Sequence, residues 1–204
     1  MGSPVSDGGR AGAHRWHELP DRTEAPGVRR SRRHRALIAL AKRLTRGRSY
    51  QFLRVLAINP RLLRPFLAFN ARLMPFGKLD RRRTEALILR TAWLCGSRYE
   101  WTQHRAMGRE AGLSEAEIEA IGAADPEGGA PDSASEALDP ELRDLLRIVG
   151  ELLDDHTLSE ATYERLARFL SPAEILEATL LVGNYAMLAG ALNSFGIPLE
   201  RAWD

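Results

Sequence analysis

From residue 50 onward, the sequence divides into helix-length segments separated by residues that typically begin or end helices. Apolar residues recur every three or four positions in these segments, no segment shows sustained two-residue alternation, and β-branched residues are sparse. A half-buried strand requires that alternation, because successive side chains of a strand point to opposite faces. The sequence therefore predicts an all-α fold.

Capping residues and glycines place the predicted helices along the chain. Asp80 and Ser114 are predicted N-caps, Asp139-Pro140 opens a helix with proline at its first position, and Gly96 and Gly112 end helices. The predicted helices cover residues 50–58, 60–74, 80–95, 97–111, 115–121, a stretch from 140, 159–170 and 171–192.

The N-terminal part of the chain differs from the rest in composition and charge. Residues 1–30 are rich in Gly, Pro, Arg and Ser, which predicts a disordered tail. Residues 31–48 read as a basic amphipathic helix, and residues 49–204 as one helical domain with a linker at about 122–139. Residues 1–48 carry 12 Lys and Arg against 4 Asp and Glu, so their net charge is +8 and the remainder carries −6.

The basic helix has two readings. It lies on an anionic membrane or a nucleic acid, or it packs one apolar stripe on the body while its arginines stay solvated. We favour the second reading, because the stripe is short and has no aromatic residue, and so we predict no nucleic-acid partner. No stretch of about 18 uncharged apolar residues exists, and no apolar core of a signal peptide is present. We therefore predict no integral membrane segment and a cytoplasmic location.

Cys95 is the only cysteine of the chain. This excludes a disulfide framework, a CxxC redox centre and a Cys-rich zinc site within one chain.

Residues 80–111 carry the candidate chemistry. On a helix, Glu85 shares an apolar face with Ile88 and Leu89, and Glu100 lies one turn before His104 on the following helix. If the two helices pack antiparallel across the Gly96 turn, Glu85, Glu100 and His104 meet. Two carboxylates and an imidazole in an apolar setting are suited to general acid–base catalysis.

Each of these residues also has a purely structural reading. Ser97-x-x-Glu100 is a capping-box pattern, and the same pattern recurs at Ser114 and Ser171. His104 can be an ordinary core histidine. Glu85 can belong to a structural ion pair with a nearby arginine; the candidates are Arg81, Arg82 and Arg105.

At these residues the chain resembles the carboxymuconolactone decarboxylase family, whose superfamily includes the AhpD-like alkylhydroperoxidases. The resemblance covers about residues 59–200. It rests on short motifs along the chain, which are Asn59-Pro60 with Leu62-Leu63, Leu87-Ile88-Leu89-Arg90, Tyr99-Glu100-Trp101 with His104, Leu181-Val182-Gly183-Asn184-Tyr185, Leu192-Asn193 and Gly196-Ile197-Pro198-Leu199. It implies an AhpD-like helical fold, a homo-oligomer (a trimer or hexamer) and active sites near subunit contacts.

The peroxidase branch of that family uses a glutamate, two cysteines three residues apart, and a histidine four residues further on. Glu85 and His104 match the glutamate and the histidine, but Ser97 and Glu100 stand at the two cysteine positions. Cys95 lies two residues early and has no partner. A dithiol peroxidase cycle is therefore excluded.

The decarboxylase branch needs only acid–base groups in a pocket. The resemblance thus implies a cofactor-independent enzyme of the lyase type that acts on a small carbonyl or lactone acid by decarboxylation, isomerisation or elimination, with catalytic residues Glu85, Glu100 and His104. In this reading His104 is the general base or acid, Glu85 the complementary acid, and Glu100 orients His104 or binds substrate. The predicted substrate-binding residues are Ser97, Tyr99, Trp101, Asn184 and Tyr185, and an arginine (Arg81, Arg82, Arg98 or Arg105) is the candidate clamp for a substrate carboxylate.

Two alternatives stay open. Many relatives have His-Tyr where this chain has Asn184-Tyr185, which favours a non-catalytic oligomeric binding protein that kept the fold. A hydroperoxide-related redox activity is the weaker alternative. We predict no metal site, because two carboxylates and one histidine without a regular ligand spacing are a weak metal signal.

Overall fold

The computed structural model describes residues 16, 17, 19–24, 51–123 and 137–200, and also residues 35, 36, 38, 39 and 43. Within these residues the chain forms α-helices and no strand, so the predicted all-α class is confirmed. A short 3₁₀ helix, Arg22–Glu24, comes first. The α-helices that follow are α1 (Gln51–Leu56), α2 (Pro60–Leu73), α3 (Arg81–Leu94), α4 (Arg98–Glu110), α5 (Glu115–Ala123), α6 (Pro140–Asp154), α7 (Glu160–Leu166) and α8 (Pro172–Phe195).

The helix starts follow the capping residues in the sequence. The Asp80 carboxylate accepts a hydrogen bond from the backbone N–H of Arg83, and Ser171 forms a complete capping box at the start of α8. Two predicted ends were wrong. α7 stops at Leu166 because the chain turns there, and α8 continues to Phe195 because Gly196, at φ 56°, ends it in the left-handed region.

Helix α3 is the centre of the body and packs against α4, α5, α6 and α8. All of residues 84–92 on this helix are buried. Leu87, Ile88 and Leu89 are fully buried, and burial of each such side chain contributes about 1.5–3 kcal/mol of stability. Because α3 has no solvent-facing side here, its charged residues Glu85 and Arg90 require partners. The Arg90 guanidinium donates to the Ile121 carbonyl at 3.0 Å, which ties α5 to α3.

Part of the predicted disordered tail packs on the body. The Trp16 ring meets Trp93 edge-to-face, with centroids 5.4 Å apart, and lies 6.3 Å from Trp101. Arg22 donates to the Ser194 carbonyl at 2.8 Å. Residues 16, 17 and 19–24 of the predicted tail thus lie against the body, where one tryptophan supplies an aromatic anchor that the overall composition conceals.

The other predicted boundaries fall largely outside the described residues. Residues 1–15 and 25–30 of the tail and residues 124–136 of the predicted linker belong to this group. At the edges of the linker, residues 122–123 still belong to α5, and Asp139 caps α6. In the basic segment, residues 35, 36, 38, 39 and 43 are helical.

Helix α8 is the most apolar helix of the described part of the chain. It is long and apolar enough to cross a membrane by length and composition, but half of its most apolar stretch is buried inside the body. This burial is typical of the core helix of a soluble protein.

Candidate functional site

Glu85 and His104 form a buried pair between α3 and α4. The His104 Nδ1 lies 2.6 Å from Glu85 Oε2, the glutamate side chain is fully buried, and the histidine side chain is 8% exposed. The other carboxylate oxygen of Glu85 lies 2.7 Å from the guanidinium of Arg81, one turn earlier on α3. Glu85 therefore has two cationic or hydrogen-bonding partners. Because Nδ1 is used by Glu85, Nε2 is the imidazole nitrogen available to a ligand.

Two glycines let α3 and α4 approach closely enough for this contact. Gly96, at φ 59°, makes the tight turn between the helices. Gly108 lies one turn after His104, and a Cβ there would lie 3.1 Å from Leu113 Cδ1 and 3.3 Å from Leu89 Cδ1. The missing side chain at Gly108 allows close packing of α4 on α3 at the level of Glu85.

Glu100 does not cap its helix. The Ser97 side chain makes no capping hydrogen bond, and neither carboxylate oxygen of Glu100 has a hydrogen-bond partner among the described residues, although the residue is 2% exposed. The two equivalent patterns behave differently: Ser114 with Glu117, and Ser171 with Glu174, each exchange reciprocal hydrogen bonds. The capping alternative for Glu100 is therefore wrong.

Burial raises the pKa of Glu100 to about 8. The nearby Ser97 hydroxyl opposes this shift in part, but it does not complete a hydrogen bond with the carboxylate. Because the cost of burying the anion exceeds the opposing effect of Ser97, the carboxylic acid form of Glu100 persists at neutral pH. Glu100 is thus a proton donor, whereas Glu85 is held as the partner of Arg81 and His104.

Glu100 and His104 line one cavity of about 90 Å³ between α1, α2, α4 and α8. Its walls are otherwise mostly apolar or aromatic. The lining residues are Phe52, Asn70, Met74, Tyr99, Glu100, Gln103, His104, Met107, Tyr185, Leu188 and Leu192. A concave, mostly apolar pocket with a few converging polar groups is typical of a small-molecule site.

The cavity contains a polar residue that the sequence analysis missed. Gln103, next to His104 on α4, is 5% exposed, and its amide nitrogen has no hydrogen-bond partner among the described residues. A neutral side chain in mid-helix carries no motif or charge signal, so only the three-dimensional packing reveals it.

The predicted substrate-binding residues divide into two groups. Tyr99 and Tyr185 line the cavity; Tyr99 donates its hydroxyl to Glu200 at 2.7 Å, and the Tyr185 ring meets His104 edge-to-face at 5.2 Å. Burial, together with the carboxyls of Glu100 and Glu85, raises the pKa of Tyr185 well above its usual value. Tyr185 therefore stays a neutral phenol at physiological pH.

The remaining three lie outside the cavity lining. Trp101 packs in the core with its ring centroid 4.9 Å from that of Trp93, and it is not among the residues that line the cavity. Ser97 is buried at the start of α4. The Asn184 amide donates to the Asn70 side chain at 2.8 Å, so Asn184 positions a cavity residue and does not line the cavity itself.

The arginines proposed as carboxylate clamps are engaged elsewhere. Arg81 pairs with Glu85, Arg82 with Glu117 and Asp139, and Arg105 with Glu115. Arg98 lines a separate cavity of about 330 Å³ between residues 17–21 and the end of α8. Among the described residues, no lysine or arginine lines the cavity of Glu100 and His104.

Cys95 lies at the end of α3 and is not among the residues that line this cavity. Burial, and to a smaller extent the neighbouring Glu100 carboxylate, raises the pKa of its thiol to about 11. A thiol is nucleophilic only as the thiolate, so Cys95 is unsuited to peroxide chemistry at neutral pH. In the described part of the chain, no three His, Cys, Asp or Glu side chains converge as metal ligands.

Part of the chain matches a known family model, and the fold is similar to several solved structures. Residues 60–140 match the family model described as the carboxymuconolactone decarboxylase family. Two solved structures with a TM-score of 0.70 are uncharacterized peroxidase-related proteins. The one from Silicibacter sp. TM1040 is 14% identical and covers 92% of this chain and 93% of its own. The one from Ralstonia eutropha JMP134, called an alkylhydroperoxidase AhpD core, is 16% identical and covers 94% and 96%.

A third structure is the debrominase Bmp8, solved as a cysteine-to-alanine variant in complex with 2,3,4-tribromopyrrole. It has a TM-score of 0.65 and 14% identity, and the match covers 88% of this chain and 94% of that chain. No curated protein matches the sequence. These likenesses show an AhpD-like all-helical fold.

Proposed function

We propose that this chain, whose residues 60–140 match the carboxymuconolactone decarboxylase family model, is a cofactor-independent enzyme that transfers protons on a small carbonyl or lactone substrate. Decarboxylation, isomerisation and elimination all fit this chemistry. The observation that carries the proposal is one buried cavity whose lining includes a carboxylate-bound imidazole and a carboxyl group with no partner of its own among the described residues.

The geometry supports roles for the two glutamates that are the reverse of those in the sequence analysis. His104 Nε2 is the general base, and Glu85, bound to Nδ1, is a positioning residue that fixes the tautomer and stabilises the imidazolium once it forms. Glu100 supplies the acid, because it remains protonated at neutral pH. One group that accepts a proton and another that donates a proton are the minimum set for moving a proton on a carbonyl compound, and in this proposal His104 and Glu100 supply them.

In the proposed step, His104 Nε2 removes a proton from the carbon next to the substrate carbonyl. The electron pair of that C–H bond moves into the carbonyl, whose oxygen becomes an enolate oxygen that is hydrogen-bonded by Glu100. Return of the proton to the same or a neighbouring carbon completes the reaction. No external oxidant or reductant is needed for this balance.

Proton exchange provides a test that does not require the natural substrate. The full chain is incubated in D₂O with small unsaturated lactones, and deuterium incorporation next to the carbonyl is followed by NMR. We expect His104→Gln and Glu100→Gln to lower the exchange rate by about 10²–10⁴-fold, the usual contribution of a general acid or base. Glu85→Gln should lower it less, because Glu85 acts only through His104.

Glu174→Gln is the matched control, since Glu174 occupies the same Ser-x-x-Glu pattern but closes a capping box on α8. It should leave exchange unchanged. The rate of the unmodified protein should fall as the pH rises through about 8, when Glu100 loses its proton, and Glu100→Gln should lack this decline. Equal exchange in all variants, with lactones bound equally well, would establish the non-catalytic binding protein instead.

We also infer a homo-oligomer, as the family resemblance implies, and a cytoplasmic location. Leu176, Leu180 and Met187 are 59%, 44% and 59% exposed on one stripe of α8, and Gly183 and Gly190 on the same stripe face open space. The alternating four- and three-residue spacing of these positions is the seam of a helix that packs on another helix. Light scattering should give a multiple of 22.7 kDa, and Leu180→Glu should reduce it; a monomeric unmodified protein would refute the inference.

A further inference from the structure

The cavity distinguishes charged from uncharged substrates by what its walls contain. The anion of a carboxylic acid is costly to bury unless a cation or several donors receive it. Among the described residues, the cavity lining includes no lysine or arginine, and Arg81 is already bound to Glu85. Glu100, on the same wall, becomes a second negative charge if it ionises. A substrate carboxylate is thus disfavoured at this wall.

The same wall is suited to a single uncharged carbonyl oxygen. Glu100, Gln103 and His104 occupy positions i, i+3 and i+4 of α4, so their side chains share one face of the helix. Glu100 has no hydrogen-bond partner, the Gln103 amide nitrogen has none, and both residues are at least 95% buried. Buried polar groups normally find partners, so these two donors indicate an acceptor that a ligand supplies.

We infer that Gln103 and Glu100 together form a two-donor site for the carbonyl oxygen of a small uncharged β,γ-unsaturated ketone or lactone, which His104 isomerises to the conjugated α,β-unsaturated compound. This inference rests on the proposed proton-transfer function and narrows it to one substrate class. It makes Gln103 a binding residue and excludes the lactone acid that the sequence analysis considered.

The proposed isomerisation balances without a co-reactant. His104 Nε2 removes the α-proton, the C–H electron pair forms a new C=C bond, and the carbonyl becomes a dienolate whose oxygen accepts from Glu100 O–H and Gln103 N–H. The imidazolium then returns the proton to the γ-carbon, and the electrons restore the carbonyl. The negative charge exists only in the transition state and intermediate, where donors already in place are most effective.

The cavity admits only the smallest members of this class. Its volume is about 90 Å³, below the 150 Å³ of an engineered cavity that holds benzene, and it is open on one side, so that a bound ring extends toward the mouth. A five-membered unsaturated lactone is therefore a reasonable probe, and α-angelica lactone has the required β,γ double bond and no charge. The enol-lactone of 3-oxoadipate has the same ring and the same β,γ double bond, with a carboxylate on the ring's methyl group, and is the matched charged probe.

The experiment measures kcat and KM for both probes with the full chain, Gln103→Met, Gln103→Glu and His104→Gln. We expect α-angelica lactone to be isomerised with a kcat/KM at least tenfold above that for the charged enol-lactone. Gln103→Met keeps the length of the side chain and removes the donor, and it should lower kcat by about 10²-fold, as the loss of one donor to a developing oxyanion does, with little change in KM. Gln103→Glu should abolish the reaction of the neutral lactone.

Denaturation midpoints of the variants show whether each one is folded, and Gln103→Asn, which retains the amide, should recover part of the kcat. A merely structural role of Gln103 would instead lower the midpoint and change both probes equally. His104-dependent turnover of the charged enol-lactone in preference to the neutral lactone would refute the inference and leave the proposed function standing. Absence of His104-dependent proton exchange with either probe would refute both.

Discussion

Replacing Glu100 by glutamine tests the electrostatic basis of the site without any substrate. Burial raises the pKa of Glu100 to about 8 in the folded protein, from an ordinary value of 4.5. Between these two pH values the folded state keeps the proton that the unfolded state has lost. Stability falls with rising pH wherever the folded state binds more protons, so ionisation of Glu100 destabilises the protein increasingly from pH 4.5 to 8 and to a constant extent above it.

The magnitude follows from the two pKa values. Each pH unit between them is worth about 1.4 kcal/mol, so the full effect is roughly 5 kcal/mol. Between pH 5 and pH 8, where the protein is convenient to handle, the expected part is roughly 3–4 kcal/mol. This is a large fraction of the 5–15 kcal/mol that stabilises a typical domain. Glutamine has the same shape and no titration, so Glu100→Gln should not lose this stability.

The assay is urea denaturation of the unmodified protein and of Glu100→Gln at pH 5, 6, 7 and 8, at one protein concentration because an oligomer's stability depends on it. The difference in unfolding free energy should shift in favour of the variant as the pH rises. His104 is present in both proteins, and Tyr185 and Cys95 titrate above this range, so their contributions largely cancel. Glu174→Gln, in which an exposed capping carboxylate is lost, should show no such shift between pH 5 and 8. Parallel pH profiles for the unmodified protein and Glu100→Gln would refute the neutral, buried Glu100.

Three further predictions concern the rest of the molecule. Gly196→Ala should destabilise the protein by about 1–3 kcal/mol, because residue 196 lies at φ 56° and a Cβ would collide with backbone carbonyls of residues 19 and 20. Thermal denaturation measures the loss, and an unchanged midpoint would contradict it. The pKa of the Cys95 thiol is raised to about 11, and the rate of its reaction with iodoacetamide is proportional to the thiolate fraction. At pH 8 the reaction should therefore be roughly 100-fold slower in the folded chain than in the urea-unfolded chain. Equal rates in the two states would contradict the burial of the thiol. Ser114→Ala should cost about 1 kcal/mol of unfolding free energy through loss of an N-cap, whereas Ser97→Ala should lose no capping energy, because Ser97 makes no cap hydrogen bond; equal capping losses would show that the two serines act alike.

The parts of the structure that depend on neighbours in sequence were predictable. The helices and most of their caps follow from local periodicity and from residues such as Asp80 and Ser171. The meeting of Glu85 and His104 was also predictable, because a short turn at Gly96 obliges consecutive helices to pack side by side. Each of these inferences uses contacts that are less than about 20 residues apart along the chain.

The Ser97-x-x-Glu100 pattern does not form a capping box, because of the turn that precedes it. Among the described residues three Ser-x-x-Glu patterns occur, but the backbone of Ser97 has ψ 88°, whereas Ser171, whose box closes, has ψ 159°. The Ser97 N–H is bonded back to the Ala92 carbonyl in the tight turn that ends α3. That turn fixes the backbone in a conformation unsuitable for the cap, and Glu100 is left facing the cavity. The same four-residue pattern therefore gives different outcomes because of the residues that precede it.

The sequence already distinguishes the charged neighbours of Glu85 from those of Glu100. Both lie on buried helix faces, but Glu85 has Arg81 four residues before it, whereas the positions three and four residues from Glu100 on either side are Gly96, Ser97, Gln103 and His104. None of these carries a permanent positive charge. Because helix neighbours at these spacings are the ones that a side chain can reach, the carboxylate without a local cation is the one expected to remain protonated. The spacing of the charges therefore predicts that Glu85 has a cationic partner and that Glu100 has none. The contacts of Glu85 and the isolation of Glu100 agree with this prediction.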